Sequence, residues 1–529
     1  MTNTSTGTSQ MFLSFLTSQM GTNEYSTASL LTATTIAAVF VHALLRIYNR
    51  FKPYAVDKSL PGPERHPFLG ILVTLFYRNR GRMPEALHEL SEKYQCTWGG
   101  PLPRIGAMGG SYFCTVEAKN IQHILSGNFD NYEKSDRFHN LFRELLGNGI
   151  FGVDGATWYR HRKIASHMFS TNLLREAAKV TLTNVQELST ILKDTQTTGK
   201  EVDVQDLFFR MTFDVTSVVA FGTEYGSLKN ETQHAFAQAF DEMQLLLVQR
   251  VPDLFFELKR VFNIGQRERR IRELKVILDD NAKEIIQGRR RTAKDGKLGP
   301  DLLSRFIDYA DKNNDPISDE ELRDVIMNFM AAGRDTTAVA LSWSLFELCK
   351  HPEVVEKMLE EANEVCGRVD DGNAGDYSYD NIGKLKYIDA VVMEVLRLYP
   401  SVPVTVKYAV NDDVLPDGTF IPKGAMVPLS PRAVGRSHQV WGSDASEFKP
   451  TRFLNQKEPT AFKYITFNAG KRLCLGKPMA LNTLKLTLAY LIQRFEFEDI
   501  QGHDGVHETF TMIRKMKGGF PTKATLRQS

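Results

Sequence analysis

Phe467-Asn468-Ala469-Gly470-Lys471-Arg472-Leu473-Cys474-Leu475-Gly476 sets one cysteine among small and basic residues, directly ahead of an apolar run from Leu475 to Ile492 that reads as a helix. The two later glycines let the backbone turn tightly and bring N–H groups to the sulfur, Arg472 adds positive field, and a helix N-terminus favours an anion. Each element lowers the cysteine pKa or shelters the sulfur, so Cys474 reads as a thiolate held for a metal. The other cysteines, Cys96, Cys114, Cys349 and Cys366, form no C-x-x-C pair, which argues against a zinc ribbon or a disulfide framework. A single thiolate ligand needs a reducing compartment, so this part of the chain lies in or faces the cytosol.

A second chemical feature interrupts the helical spacing of about Asp319 to Lys350. There Ala331-Ala332-Gly333-Arg334-Asp335-Thr336-Thr337-Ala338 puts a glycine, an acid and two threonines at helix centre. Gly costs about 1 kcal/mol relative to Ala inside a helix, and Thr loses rotamer freedom. The expectation is a local distortion, with small side chains opening space for a flat cofactor. Thr336 then bonds a backbone carbonyl or a bound water and holds the helix slightly unwound. Without Cys474 elsewhere, a bent structural helix is the better reading.

The spacing F-x-x-G-x-R-x-C-x-G resembles the haem-binding loop of the cytochrome P450 family, and the resemblance extends over nearly everything from about residue 60 onward. It implies that Cys474 is the axial ligand of a haem b iron, in a loop shaped by Phe467, Gly470 and Gly476. Ala332 and Gly333 match the family's oxygen groove, and Asp335 with Thr336 its proton-delivering acid and alcohol. Glu394-Val395-Leu396-Arg397 lies about 80 residues before Cys474, and Phe448-Lys449-Pro450-Thr451-Arg452-Phe453 follows it. Together they match the structural triad Glu394, Arg397 and Arg452, with Thr451 where an acid is common. Glu394 and Arg397 share a helix face, and a buried network of this kind fixes geometry more than it adds stability.

Trp158 and Arg162 stand four residues apart on one helix face and match contacts to a haem propionate, as do Arg472 and Lys407. The neighbouring Arg160 and Lys163 read as surface charges. With Lys471 and Lys477 they suit docking of an acidic electron donor. The resemblance implies an NADPH–cytochrome P450 reductase as that donor, with cytochrome b5 as a second partner. No glycine-rich nucleotide motif in strand-then-helix context occurs here, so electrons come from outside the chain.

The implied activity is a monooxygenase that inserts one oxygen atom from O2 into a C–H bond, since a thiolate ligand favours O–O cleavage. The phrases Leu145-Leu146-Gly147-Asn148-Gly149-Ile150-Phe151, Ala332 to Thr337, Tyr399-Pro400-Ser401-Val402-Pro403 and Asp412 to Phe420 resemble the plant and yeast fatty-acid and alkane ω-hydroxylase group. Terminal hydroxylation of a medium- to long-chain fatty acid is the expectation. Sterols, terpenoids and xenobiotics are the alternative substrates. A lipid-hydroperoxide isomerase is disfavoured by the intact Asp335-Thr336 pair, and so is a non-enzymatic haem protein. Animal fatty-acid hydroxylases of a neighbouring group carry a haem-linking glutamate at the position of Ala332. Alanine forms no such ester, so haem is held here only through its axial bond and non-covalent contacts.

Composition agrees. The 529 residues, 42% apolar and 24% charged, suffice for a large core, and a net charge of +2 predicts no nucleic-acid partner. The chain reads as mainly α with a small β portion, which matches the cytochrome P450 fold that the resemblance implies. Helices are expected over Met83 to Lys93, Leu182 to Lys193, Ala235 to Val251 and Arg267 to Arg291, and strands in Gly106 to Val116 and Val404 to Ile421.

The expected organisation is a lumenal tail over 1–28, a transmembrane anchor over 29–48, a basic and proline-rich hinge over 49–70 and the haem domain over 71–529. The run Ser29 to Leu45 is uncharged, and Arg46, Arg50, Lys52 and Lys58 follow it, with no Lys or Arg before. A cleavable signal peptide lacks its positive n-region here, and positive-inside puts the bulk of the chain in the cytosol. This predicts a single-pass protein of the endoplasmic reticulum membrane, against an organellar import sequence or a buried helix. Asn3-Thr4-Ser5 falls on that lumenal tail, and the sequence leaves its glycosylation open.

Overall fold

The computed structural model describes residues 32–42, 56–57, 59–79, 81–103, 110–166, 169–198, 201–230, 232–369, 374–454, 459–502 and 508–527. The chain divides into two compact units, Met1–Lys52 and Pro53–Ser529. In the first, residues 32–42 are helical and exposed. Among the described residues no helix is long and apolar enough to cross a membrane. The remainder of the expected 29–48 anchor, the tail 1–28 with Asn3, and hinge positions 49–55 and 58 lie outside the described residues.

Helices dominate the second unit, and local chemistry explains their limits. Helix Val204–Phe221 starts where the Asp203 carboxylate accepts from the Asp206 N–H and stops at Gly222 in the left-handed region. Helix Asp319–Met330 starts at Ser318, whose hydroxyl accepts from the Glu321 N–H, with three acids in its first turn. The helices expected from apolar spacing are Met83–Tyr94, Thr171–Thr198, Ala235–Val248 and Gln266–Lys294. Thr336–Lys350 is buried along most of its length and packs against the equally buried Val204–Phe221. An apolar helix enclosed on all sides becomes the centre of the body.

The main sheet has five strands in the order Trp98–Pro101, Ser111–Cys114, Met426–Leu429, Thr405–Ala409 and Tyr132–Glu133. Of the strand expected over Gly106 to Val116, Ser111–Cys114 is observed, while 104–109 lie outside the described residues. The stretch Val404 to Ile421 resolves into three short strands, Thr405–Ala409, Asp413–Val414 and Phe420–Ile421. A three-stranded sheet of Val202–Asp203, Pro521–Leu526 and Phe495–Asp499 was not foreseen. Its pairing joins distant parts of the chain, and Pro521–Leu526 shows little apolar alternation. The proline-rich segment is docked rather than free, since the Gly99 N–H donates to the Pro61 carbonyl at 2.8 Å.

Candidate active site

The cysteine loop is a pair of short 3-10 turns, Ile465–Phe467 and Gly470–Arg472, closed by the Cys474 N–H donating to the Phe467 carbonyl at 2.8 Å. Gly470 has φ 60°, and a Cβ there would lie 2.2 Å from the Leu125 carbonyl oxygen, so no larger residue fits. Two hydroxyls moor the loop to helix Lys386–Leu398: Tyr464 donates to the Met393 carbonyl at 3.0 Å and Thr466 to the Leu396 carbonyl at 3.1 Å. Gly476 then leads into helix Lys477–Ile492.

Cys474 is exposed by surface area although protein surrounds it, as at the floor of a concave surface. Burial pushes its thiol up; the Gly476 and Lys477 N–H groups and the charges of Arg162 and Lys477 pull the other way. The sequence reading counted only the terms that lower this pKa, whereas the protein's own groups do not overcome burial.

Beside the loop, cations converge. The Arg472 guanidinium stacks over the Trp158 ring at 4.5 Å, donates to the Val153 carbonyl at 3.0 Å and pairs with Asp154 at 2.5 Å. Its Nε is buried without a partner. Trp158 and half-buried Arg162 come from helix Gly155–Ser166. Lys407 is buried, donates to the Tyr132 carbonyl at 3.0 Å and is pushed down to about 7 by burial, then by Arg472 and Lys134.

Lys134 was missed by the sequence reading; burial, then Arg472, pushes it down to about 8. No spacing marks it. It arrives because Tyr132–Glu133 pairs with Thr405–Ala409, the strand that carries Lys407. Glu133 and Asp154 are the facing acids. A cavity of about 360 Å³ lies against Trp158, Arg472, Glu133 and Asp154.

The Asp319 to Lys350 segment is α-helical over Asp319–Met330 and Thr336–Lys350, with a π-helical turn at Ala331–Asp335 between them. A Cβ on Gly333 would meet Thr216 Oγ1 at 2.7 Å, so helix Val204–Phe221 crosses close over this turn. The Thr336 hydroxyl donates to the Ala332 carbonyl at 2.6 Å, and the Thr336 carbonyl accepts from the Ser401 hydroxyl at 2.7 Å. Asp335 is turned away: its carboxylate accepts from Gln244 at 2.6 Å and from Arg334 at 2.7 Å. Burial pushes Asp335 up against the pull of Arg334. Ala331 of the π turn and Leu475 of the cysteine loop pack on the same hydrophobic core.

Glu394, Arg397 and Arg452 come together, with Arg452 Nε 3.4 Å from Glu394 and its terminal nitrogens on Asp444. Arg160, expected as a free surface charge, is instead paired with Asp315 at 2.7 Å and with Glu321. Those acids arrive from a distant loop and helix, out of reach of local reading. Lys163 and Lys471 are exposed, and Lys477 lies 5.7 Å from the Phe467 ring centre. Of the aromatic and aliphatic residues on the neighbouring helices, Phe208, Phe209, Phe236, Phe240 and Phe256 are core, while Leu245 and Phe255 are exposed.

A thiol at the floor of a concavity, buried cations with an unpartnered donor, and a helix opened by small residues fit a flat, anionic, metal-bearing macrocycle. Comparison with known proteins agrees. The family model Cytochrome P450 matches residues 60–520. Cytochrome P450 704C1 of Pinus taeda is 37% identical over 443 residues, covering 79% of this chain and 85% of that protein. Cytochrome P450 704B1 of Arabidopsis thaliana is 33% identical over 502 residues, covering 87% and 94%. Cytochrome P450 94A2 of Vicia sativa is 35% identical over 520 residues, covering 93% and 96%. With a family model running through the cysteine loop, the oxygen helix and the triad alike, this chain belongs to the cytochrome P450 family.

Proposed function

We propose that this chain hydroxylates the terminal (ω) carbon of medium- to long-chain fatty acids. As a cytochrome P450 it is a haem-thiolate monooxygenase acting on a lipophilic substrate, with electrons from a separate reductase. In balance, the substrate, O2, NADPH and one proton give the alcohol, water and NADP+. Haem, when bound, supplies the oxygen activation and C–H insertion. The chain's residues do the rest. Cys474 ligates the iron through its thiolate. Arg162, Lys407 and Arg472 would neutralise the propionates, and the Trp158 indole N–H would help to orient them. Thr336 and Asp335 move protons at the π turn, and Ala332 and Gly333 keep room beside them. Glu394, Arg397 and Arg452 tie helix Lys386–Leu398, which moors the cysteine loop, to the segment from Gly435 to Lys449.

The observation that carries the monooxygenase chemistry is Cys474 at the floor of a concavity with buried cations beside it. The fatty-acid assignment rests on the likeness of the Ala332 to Thr337 phrase and its companions to the ω-hydroxylase group. The membrane assignment has its own support in the second unit. Phe255, Leu258, Val261, Phe262 and Ile264 are exposed around helix Phe256–Phe262, and exposed Tyr77 shares with Phe255 a cavity of about 340 Å³. An apolar patch of this kind marks a lipid or protein contact. It suits a cytosol-facing domain on the endoplasmic reticulum, with residues 29–48 as anchor and cytochrome b5 as an additional donor.

The test is mass spectrometry of products after membranes containing this protein and a reductase receive NADPH and a panel of fatty acids. An NADPH-dependent ω-hydroxy acid supports the assignment. Intact thiolate-ligated haem without fatty-acid oxidation overturns it and leaves sterols, terpenoids and xenobiotics.

A further inference from the structure

Arg514 belongs to strand Arg514–Met516, which is bonded to the helix that carries Thr336. The Arg514 N–H donates to the Ser401 carbonyl at 3.2 Å, and the Ser401 hydroxyl donates in turn to the Thr336 carbonyl at 2.7 Å. The Arg514 carbonyl accepts from the Trp343 indole N–H, on that same helix, at 3.0 Å. At its other end the Arg514 guanidinium meets two acids, which it shares with Arg432 of helix Pro431–Arg436. Glu85 of helix Met83–Tyr94 has Oε1 3.4 Å from Arg514 Nη2 and 3.3 Å from Arg432 Nη2. Glu508 pairs with Arg514 and has Oε1 3.4 Å from Arg432 Nη1.

Two acids do not satisfy these two guanidinium groups. Nε and Nη1 of Arg514 and Nε of Arg432 are buried without a partner. A buried N–H left unpaired has lost its hydrogen bond to water, so these donors call for a further acceptor. The charges are also unequally buried, with side-chain exposure of 1% at Arg514 and 10% at Arg432 but 19% at Glu85 and at Glu508. Water screens the acids at the rim more than the cations behind them. Burial, ahead of any neighbouring charge, pushes both arginines below their usual range; Arg436 and Glu89 face Arg432 as well, one charge of each sign.

A fatty acid oxidised at its last carbon carries a carboxylate at its first, and burying that charge requires a cation with free donors. We propose that Arg514 and Arg432 are the receptor for the substrate's carboxylate, with Glu85 and Glu508 as the counter-charges that hold the pair when no substrate is bound. The inference rests on the fatty-acid reading of the site. Leu87 and Met83 of the Glu85 helix, Met512 ahead of Arg514 and Ala331 of the π turn pack into one hydrophobic core, so apolar side chains lie between the two ends. The bonds from Arg514 through Ser401 to Thr336 fix the interval between receptor and reacting position, and holding one end of a chain selects the carbon presented at the other. Lys515, next on the strand, is already paired with Asp241 at 2.7 Å.

Full-length holoenzyme is titrated with fatty acids, with their methyl esters and with alkanes of equal length, and binding is read from the haem difference spectrum. With reductase and NADPH, the position of the new hydroxyl is then read by mass spectrometry. The native enzyme is expected to bind an acid at least about tenfold more tightly than its ester, the scale of one charge-assisted hydrogen bond. Arg514→Leu and Arg432→Leu are each expected to remove most of that preference and to spread hydroxylation inward from the last carbon. Arg514→Lys, which keeps the charge, recovers part of both. Glu508→Gln lifts a competing negative charge from the rim and is expected to tighten the acid but not the alkane. Arg432→Leu serves if Arg514→Leu lacks the spectrum of thiolate-ligated haem, and the native comparison of acid with ester needs no variant.

Equal affinity for acid and ester in the native enzyme overturns the receptor. So does a preference for the acid that survives the arginine-to-leucine substitutions or falls in Glu508→Gln, and in each of these cases continued oxidation of fatty acids leaves the substrate reading standing. A native enzyme that oxidises no fatty acid overturns that reading, and the receptor with it.

Discussion

Arg397 and Glu394, both fully buried, face each other across one helical turn with hydrogen bonds of 2.6 and 2.7 Å. Arg397 also donates to the carbonyls of Gly435, Ala445 and Glu447, while Glu394 accepts from the Lys449 N–H at 2.9 Å. The pair therefore ties the helix that moors the cysteine loop to the meander that follows Arg436. Removing one partner leaves an uncompensated buried charge, which costs about 3–5 kcal/mol. Glu394→Gln and Arg397→Leu are each expected to abolish stable haem incorporation, read as loss of haem absorbance in the purified protein. Retained haem and an unchanged melting temperature would remove the structural role.

Cys474→Ala removes the thiol that the cysteine loop presents. The variant is expected to lose the spectrum of thiolate-ligated haem and to lower turnover by at least about a thousandfold, on the scale of losing a group that acts directly in the reaction. A thiolate spectrum surviving the substitution would refute the assignment, and Cys474→Ser checks that volume alone is not responsible.

Thr336→Ala deletes a hydroxyl whose present bond is to the Ala332 carbonyl. Haem binding should persist, while NADPH consumption separates from product formation by roughly tenfold, below the factor of about 10²–10⁴ typical of a proton-transfer group, because water can partly replace the hydroxyl. Thr336→Ser, which keeps the hydroxyl, should recover most of the coupling. Full coupling in Thr336→Ala sinks the proton-delivery role.

Lys407 supplies a pH test. Its folded pKa of about 7 lies below the ordinary 10.5, so between those values the unfolded chain binds the additional proton. Stability of the haem-free protein then rises with pH through that window, and the cost of the buried charge is complete below about 7. Lys407→Met is expected to melt higher than wild type at pH 6 without haem, with the difference shrinking towards pH 10.5. With haem the sign is expected to reverse, because the variant would lack the proposed propionate contact and should release haem faster. Thermal melts across pH, with and without haem, decide both halves.

How far the site can be read without coordinates differs from residue to residue. Gly470 and Cys474 are legible because the requirement is local: a left-handed turn and a thiolate at a helix start need particular residue types at fixed offsets. The π turn is legible for the same reason, as Gly333 and Thr336 disfavour a regular helix where they stand. Lys134 is not. Its neighbours Lys407 and Arg472 are hundreds of residues away, and only the pairing of Tyr132–Glu133 with Thr405–Ala409 brings the three together. Arg160 fails in the opposite direction, since Asp315 and Glu321 convert an apparent surface charge into an internal pair.

The amino-acid order alone thus determined the family, the helix distorted at Ala331–Asp335 and the predominance of helices, and it carries the proposal of Cys474 as iron ligand, because each rests on short-range patterns of residue type. Only the tertiary structure decided which charges are shared and which way the acid of the oxygen helix points. Asp335 faces Gln244 and Arg334 because helix Ala235–Val248 packs across the π turn. A buried carboxylate must satisfy its oxygens with whatever donors the packing brings, and no local pattern names donors from distant segments.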